Sequence, residues 1–400
     1  MLLIKNGRII TMTGTDYENG YILIDEGKIV EVGEYPSGLK KEILKSDKLS
    51  IIDAKNKYVL PGLVDAHCHV GMWEDAVGFE GDDGNEMTDP VTPHLRAIDA
   101  VYHLDRAFVE AYQNGVTTVV TGPGSANVIG GQFAALKTYG RRIEDMVVKS
   151  PVAIKVAFGE NPKVVYNERK MAPTTRMATA AILRESLLKA LEYKGMLDEY
   201  NENKEENDKP DYDIKMEALL GVVNKEIPVK AHAHRADDIL TAIRIAKEFD
   251  LKMTIEHCTE GHLIADILSD EGIPAIVGPY LTDRSKIELR NLSLTTPGVL
   301  SKAGVKVAIM SDHPCMPVQY LALAAAMAVR EGMDEAEALK AITINAAEIT
   351  GIDDRVGSIE PGKDADIAIF DGHPFEIRSK VVNTIINGKV VYERNKNDRD

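Results

Sequence analysis

The chain has 400 residues, with 63 acidic side chains against 47 basic ones and a formal net charge of −16 at pH 7. A field of this sign repels nucleic acid and anionic membranes, so neither is expected as a partner. No run reaches the roughly 18 apolar residues of a membrane span, and the first residues, MLLIKNGRIITM, lack the pattern of a signal peptide. Three cysteines fit no disulfide framework, which favours a reducing, cytoplasmic location.

Both ends of the chain predict a small β-sheet. The first 58 residues contain three strand-like runs, LLIKNGRII, YILIDEGKIVEVG and LSIIDAKNKYVL. Within them KNG and DEG predict hairpin turns. The C-terminal part has the same character in ADIAIFDG and VVNTIINGKVVYERN, where NG predicts another turn.

The middle of the chain alternates short β-branched runs with helical patterns, which predicts βαβ units and a parallel sheet. About eight strands favour an α/β fold with a closed (β/α)8 TIM barrel over an open sheet. The predicted strands lie in LPGLVDAHCH, VTTVVT, GQFAALKTYG, PVAIKVAF, IPVKAHAH, LKMTIEHC, IPAIVGP and VKVAIMSD.

The first of these strands ends in two histidines. In YVLPGLVDAHCHVG, residues 58–71, strand alternation places His67 and His69 on one face and Cys68 on the other. Two adjacent neutral imidazoles suit a metal ion such as zinc. From this pair alone, a metal site and two hydrogen-bonded histidines are equally open.

Other predicted strand ends also provide metal-binding groups. In a (β/α)8 barrel, reactive side chains lie at the C-terminal ends of the strands. Their joint placement at five strand ends favours one metal centre over unrelated structural roles. The candidates in chain order are His67, His69, Lys155, His232, His234, His257 and Asp312.

This order of residues resembles the metal-dependent amidohydrolase superfamily. PGLVDAHCHVG is similar to its first-strand signature, and residues 342–371 resemble the segment that returns the chain to a small β-sandwich. Within the superfamily, AIKVAFGENP and VKAHAHRADDI resemble the branch of imidazolonepropionase-like proteins and prolidase-type dipeptidases. The resemblance implies a β-sandwich from residues 1–58 and 359–400, beside a hydrolase barrel from 59–358.

The resemblance also implies a set of metal ligands. It implies two divalent ions per chain, with zinc the expected metal. Lys155 would bridge them as a carboxylated lysine, and Asp312 would ligate the first ion and serve as the catalytic acid–base residue. Four histidines would complete the set, His67 and His69 on the first ion and His232 and His257 on the second.

Two ligand assignments stay open at this point. His234 shares a face with His232 and could replace it as ligand or contact the substrate. Glu160, five residues after Lys155, is an alternative bridging carboxylate.

The loop after the fourth strand contains candidate substrate-binding residues. Tyr166, Arg169 and Arg176 follow Lys155 on the same barrel face, and an arginine there could clamp a substrate carboxylate. The alternative is that these arginines form ordinary surface ion pairs. Gln132, in the glycine-rich stretch after the second strand, is a further polar candidate.

The predicted activity is hydrolysis of a carbon–nitrogen amide bond by metal-activated hydroxide. The expected substrate is a small molecule: a dipeptide, an N-acyl amino acid or a cyclic amide. One alternative is a mononuclear deaminase of the same superfamily, which would have a glutamate three residues after His232, where Arg235 stands. A second is a non-enzymatic scaffold that has lost its ligands. The oligomeric state is open, and a homo-oligomer is compatible with the sequence.

Overall fold

The structure, a computed structural model, describes residues 1–40, 42–74 and 78–394, so the predicted small-domain residues 395–400 lie outside it. The strands of this part are β1 (Leu2–Ile9), β2 (Tyr17–Asp25), β3 (Lys28–Glu34), β4 (Ser50–Asp53), β5 (Tyr58–Pro61), β6 (Leu63–Cys68), β7 (Val116–Thr121), β8 (Ile129–Lys137), β9 (Val147–Ala157), β10 (Val229–Ala233), β11 (Met253–His257), β12 (Ala275–Val277), β13 (Val307–Ile309), β14 (Ile367–Phe370), β15 (Val381–Ile386) and β16 (Lys389–Glu393). The helices are α1 (Arg106–Gln113), α2 (Ile143–Met146), α3 (Glu160–Glu168), α4 (Arg176–Glu202), α5 (Ile214–Val223), α6 (Ala236–Glu248), α7 (Ala265–Glu271), α8 (Thr296–Lys302), α9 (Leu321–Arg330), α10 (Glu335–Ala341) and α11 (Ile344–Thr350). Among these helices, none combines the length and the apolar character needed to cross a bilayer.

Strands β6 to β13 form one eight-stranded sheet in chain order. Strands β6 and β7 are parallel, as are all neighbours from β9 to β13. The backbone N–H of Asp312, just after β13, donates to the carbonyl oxygen of His67 on β6 at 3.2 Å, so the sheet nearly closes. The predicted α/β barrel is confirmed at this level.

The regular (β/α)8 order is wrong at β8, which is antiparallel to both β7 and β9. Residues 122–128 join β7 to β8. A parallel return needs a crossover of about a dozen residues or more, so this short connection allows only an antiparallel strand. The barrel sheet therefore contains a hairpin where the sequence predicted a βαβ unit.

The connections between the parallel barrel strands are helical and place their C-terminal ends on one face. Helices α1, α6, α7 and α8 follow β6, β10, β11 and β12. In α6 the buried residues Ile239, Ala242, Ile243 and Ala246 recur at spacings of three and four, which is the inward face of an amphipathic helix. The connection from β9 to β10 is longer and contains α3, α4 and α5.

Strands from both chain ends form a second sheet. Its order is β16-β15-β14-β5-β1-β2-β3, with β4 also paired to β1. The DEG and NG turns are confirmed between β2 and β3 and between β15 and β16. KNG is not a turn, because it lies inside β1, where Asn6 has φ +62° and the register shifts. The β-sandwich form and the boundaries at 58/59 and 358/359 remain predictions.

A buried ion network joins the barrel to this second sheet. The Lys137 ammonium at the end of β8 lies 2.9 Å from Asp364 Oδ2 and 2.5 Å from Asp366 Oδ2. Lys28 Nζ and Arg355 Nη2 each lie 2.7 Å from the Asp364 carboxylate. Lys137, Asp364 and Asp366 are all buried, so each charge is stabilised by the opposite charges beside it rather than by water.

Candidate metal centre

The two histidines of the first barrel strand point into the barrel at its open end. His69 Nδ1 lies 2.7 Å from the carbonyl oxygen of Gly122. A carbonyl only accepts hydrogen bonds, so Nδ1 carries the ring proton and Nε2 presents a lone pair. His67 Nε2 lies 3.1 Å from Lys155 Nζ. Both side chains are buried, and Cys68 between them belongs to the hydrophobic core.

A second group consists of three histidines: His232 on β10, His234 just after β10 and His257 at the end of β11. The ring centroid of His257 lies 4.3 Å from that of His232 and 4.4 Å from that of His234. His257 Nδ1 donates to the carbonyl oxygen of Gly278 at 2.8 Å, which leaves Nε2 free to bind a cation. His234 Nδ1 lies 2.7 Å from Thr259 Oγ1. The structure therefore brings both fifth-strand candidates to the site.

Lys155, on β9, lies in the protein interior beside His67. Its side chain is completely buried, and its ammonium lies 5.5 Å from the centre of the Phe133 ring. Burial lowers the pKa of Lys155 to about 8, although the nearby carboxylates Glu256 and Asp312 oppose the shift. A lysine with this pKa has an appreciable unprotonated fraction near neutral pH.

Asp312 follows the last barrel strand and faces the first histidines. Its Oδ1 lies 3.2 Å from His69 Nε2 and 3.7 Å from His67 Nε2. Asp312 has φ +53° and His257 has φ +69°, a backbone conformation that costs about 1–3 kcal/mol for residues other than glycine. Such strain is concentrated at functional sites, where the surrounding fold holds it.

The donor atoms of the site fit a divalent metal ion. The Nε2 atom of His69 carries no proton in this tautomer, so its lone pair faces Asp312 Oδ1, which is buried and has no hydrogen-bond partner among the described residues. Two lone pairs face each other without repulsion when a cation lies between them. Two groups each have ligand atoms within 4.8 Å of one another: His67, His257 and Asp312, and His232, His234 and His257.

Burial also keeps these imidazoles in the form that binds metals. It lowers the pKa of His67 and of His232 well below the ordinary value, and the charge of Lys155 adds to both shifts. Burial likewise lowers the pKa of His257 far below that value, and that of His234 to about 3. The rings are therefore neutral at physiological pH and retain a lone pair.

Two buried charges beneath the site were missed in the sequence. Glu256 Oε2 on β11 lies 2.8 Å from His67 Nδ1 and 3.1 Å from Lys230 Nζ on β10. Lys230 is 1% exposed, and Glu256 is completely buried. Strand alternation could have identified Lys230, because it lies two residues before His232 and therefore on the same face. Alternation could not have identified Glu256, because Glu256 is adjacent to His257 and alternation assigns the two to opposite faces.

A third unpredicted carboxylate lies beside the second histidine group. Glu288, in a short 3-10 helix (Ile287–Leu289) between β12 and α8, is 1% exposed. Its Oε1 lies 3.6 Å from His234 Nε2 and its Oε2 accepts the backbone N–H of Glu160 at 3.0 Å. A Cβ at Gly159, where φ is +80°, would lie 2.8 Å from Glu288 Oε2, so this approach requires glycine. No pattern around Glu288 in the sequence marks it as a site residue.

Most of the predicted metal ligands line a cavity of about 590 Å³. His69, His232, His257 and Asp312 line it, together with His234. Glu160, the alternative bridging residue, also lines it. A small molecule bound in this cavity would therefore contact the predicted metal ligands.

The other predicted substrate contacts are not among the described residues that line this cavity. Tyr166 is completely buried and donates to Asn127 Oδ1 at 2.6 Å, and Gln132 Nε2 donates to the carbonyl oxygen of Pro93 at 3.3 Å. Arg176 Nε donates to Asp238 Oδ1 at 2.9 Å, in an ion pair whose carboxylate is buried. Arg169 lines a separate cavity.

Comparison with known proteins identifies the family. Residues 58–391 match the model of the amidohydrolase family, and the chain belongs to that family. It is similar to the crystal structure of an amidohydrolase from Thermotoga maritima MSB8, with a TM-score of 0.93 and 43% identity over 98% of this chain and 100% of that one.

Curated relatives have several activities. An amidohydrolase from Hapsidospora irregularis, tasK, is 27% identical over 94% of this chain, and an adenine deaminase of Listeria monocytogenes is 26% identical over 98%. The chain spans only 40% and 57% of the lengths of these two relatives. An imidazolonepropionase of Streptococcus pyogenes is 26% identical over 89% of this chain and 85% of its own length. The family predicted from the motifs is confirmed, and its members differ in substrate.

Proposed function

We propose that the protein hydrolyses a carbon–nitrogen amide bond in a small molecule, with dipeptides, N-acyl amino acids and cyclic amides as substrate classes. The supporting observation is that His69, His232, His257 and Asp312 line one cavity of about 590 Å³, while Lys155 is buried with its Nζ 3.1 Å from His67 Nε2. This volume lies in the range of cavities that enclose small ligands. The three free cysteines favour a cytoplasmic location for this activity.

The proposed cofactor is a pair of divalent ions, with zinc expected. His67, His69 and Asp312 would hold one ion, and His232 and His257 the other. Lys155 would bridge them after its unprotonated amine has bonded to the carbon of carbon dioxide and released a proton, which leaves an anionic carbamate. When bound, the ions supply Lewis-acid chemistry, lowering the pKa of water and polarising a carbonyl group.

Asp312 is proposed to move the proton between the two halves of the reaction. Its carboxylate lines the cavity just after β13, and its Oδ1 lies 3.2 Å from His69 Nε2. It would accept a proton from the attacking water and then deliver it to the leaving nitrogen, since an amine is a poor leaving group without protonation.

A substrate panel with paired variants tests this proposal. Metal-loaded enzyme is offered dipeptides, N-acyl amino acids, cyclic amides and aminated heterocycles, and free amine and ammonia are measured. Asp312→Asn should retain the fold and lose activity by roughly 10² or more. Asp354→Asn, an exposed aspartate outside the cavity lining, is the matched control and should remain active.

Two results would overturn the proposal. Ammonia release from the heterocycles, with no amide cleavage, would favour the deaminase, although the position that holds a glutamate in such enzymes is occupied here by Arg235, paired with Asp237 at 2.8 Å. A purified protein that retains no metal and turns over nothing on the panel would favour the scaffold.

A further inference from the structure

One cationic side chain lies in the cavity outside the proposed metal ligands. Lys286, in the segment after β12, is the one lysine or arginine among the described residues that line the cavity. It is half-buried, which strengthens its interaction with an anion relative to a fully solvated lysine. The apolar part of the lining consists of Trp73, Met87, Val164, Val165, Leu289 and neighbouring residues.

Hydrogen bonds hold the Lys286 ammonium in place. Its Nζ donates to Asn161 Oδ1 at 2.6 Å, and Asn161 Nδ2 donates in turn to Ser125 Oγ at 2.7 Å. Asn161 Nδ2 also lies 3.4 Å from His232 Nε2, so this chain of contacts begins beside the proposed metal ligands. An ammonium has three donors, and the hydrogen bond to Asn161 uses one of them. The others are available to a bound molecule.

The arginines predicted to bind a substrate carboxylate are placed elsewhere. Arg176 is held by Asp238, and Arg169 lines a different cavity. An ion pair with Asp238 that is already formed leaves Arg176 little affinity for a second carboxylate. Lys286 has no comparable carboxylate partner among the described ion pairs, since its hydrogen-bond acceptor is a neutral amide.

We propose that Lys286 determines specificity by binding the free carboxylate of the amino acid on the leaving side of the scissile amide. This inference rests on the proposed function and narrows it to dipeptides and N-acyl amino acids whose C-terminal residue is free and apolar. The carboxylate lies on Lys286, the amide lies at the metal ligands, and the side chain lies against Trp73, Met87 and Leu289. Cyclic amides without a carboxylate are then poor substrates.

The test compares acids with their amides. Dipeptides and N-acetyl amino acids ending in Leu, Met, Phe or Pro are each supplied as the free acid and as the C-terminal amide, and kcat and KM are measured with metal-loaded enzyme. Wild type should prefer the acid. Lys286→Met should lower kcat/KM for the acids by about 10- to 100-fold, mainly through KM, the size of a lost charge-assisted hydrogen bond, and leave the amides unaffected.

Two further variants serve as controls. Lys286→Arg keeps the charge and should retain most of the preference for the acid. Arg284→Met removes an exposed cation two residues away, whose guanidinium donates to the carbonyl oxygen of Leu292, and should behave as wild type. Circular dichroism and metal content of each variant establish that it is folded and loaded.

The outcomes separate this inference from the proposed function. Cleavage of the acids with an unchanged acid-to-amide ratio in Lys286→Met would overturn the role of Lys286 and leave amide hydrolysis intact. Equal cleavage of acids and amides by wild type would also overturn the role of Lys286 and leave amide hydrolysis intact. If wild type cleaves no amide of any class, the proposed function fails and this inference fails with it.

Discussion

Replacing Glu256 by glutamine should weaken both the fold and the proposed metal site. The Glu256 carboxylate lies between His67 Nδ1, at 2.8 Å, and Lys230 Nζ, at 3.1 Å, in a region closed to solvent. Glutamine keeps the shape of the side chain and removes the negative charge. Lys230 then retains the carbonyl oxygen of Ala66, at 3.1 Å, as a neutral acceptor.

The distances set the expected size of the effect. Coulomb's law gives about 5 kcal/mol for unit charges 3.1 Å apart at an effective dielectric constant of about 20. Removing one partner of a buried ion pair typically costs about 3–5 kcal/mol, so Glu256→Gln should lower the free energy of unfolding by about that amount. A carboxylate next to a metal-binding histidine also orients its ring, and losing such a partner weakens metal binding by roughly 10- to 100-fold.

Two measurements separate these effects. Urea unfolding of chelator-treated protein reports the stability, and competition with a chromogenic chelator reports the metal affinity. The double variant Glu256→Gln/Lys230→Met removes both charges, so it should recover much of the stability but not the metal affinity. The reasoning is refuted if Glu256→Gln unfolds within about 1 kcal/mol of wild type and binds metal equally well.

Three other predictions concern the bridge and the ion network. Lys155→Ala should reduce the metal content measured by elemental analysis from the proposed two ions per chain, and a wild-type content of one that is unchanged in the variant would contradict a bridging lysine. Lys137→Met leaves two buried carboxylates without their shared cation, so urea unfolding should show a loss of about 3–5 kcal/mol. Burial acts to raise the pKa of Asp364, but the charge of Lys137 and the hydrogen bonds from Lys28 and Lys137 outweigh it and hold the pKa at about 2, below its ordinary value of 3.8. Because the folded-state pKa is depressed, this stabilisation is complete above pH 3.8 and is lost as the pH falls towards 2. An acid titration followed by circular dichroism should show Lys137→Met unfolding at higher pH than wild type, and coincident curves would exclude the network as a cause.

The barrel strands and most of the site could be predicted from local sequence. Apolar β-branched runs predict strands wherever they occur, and a side-chain period of two assigns His67 and His69 to one face without any tertiary information. The same period, applied to VKAHAH, would also have assigned Lys230 to the face of His232. In a parallel barrel these strand ends must meet, so their approach followed from the fold class.

The direction of β8 and the position of Glu256 were decided by the tertiary structure. A strand pattern reads the same in both directions, so the direction of β8 follows from its short connection to β7 within the nearly closed sheet. Alternation assigns Glu256 and His257 to opposite faces, but His257 leaves the strand conformation with φ +69°. Both side chains therefore reach the interior.

Tertiary contacts also determined which partners the charged side chains have. Arg176 pairs with Asp238, 62 residues later, and Lys286 donates a hydrogen bond to Asn161, 125 residues earlier. Sequence shows that a residue has a charge, and here the joint placement of histidines, a lysine and an aspartate at five strand ends was enough to predict a metal site. Whether a cation binds a substrate or an internal partner depends on which opposite charge lies within a few ångströms, and that distance is set by packing between segments far apart in the chain.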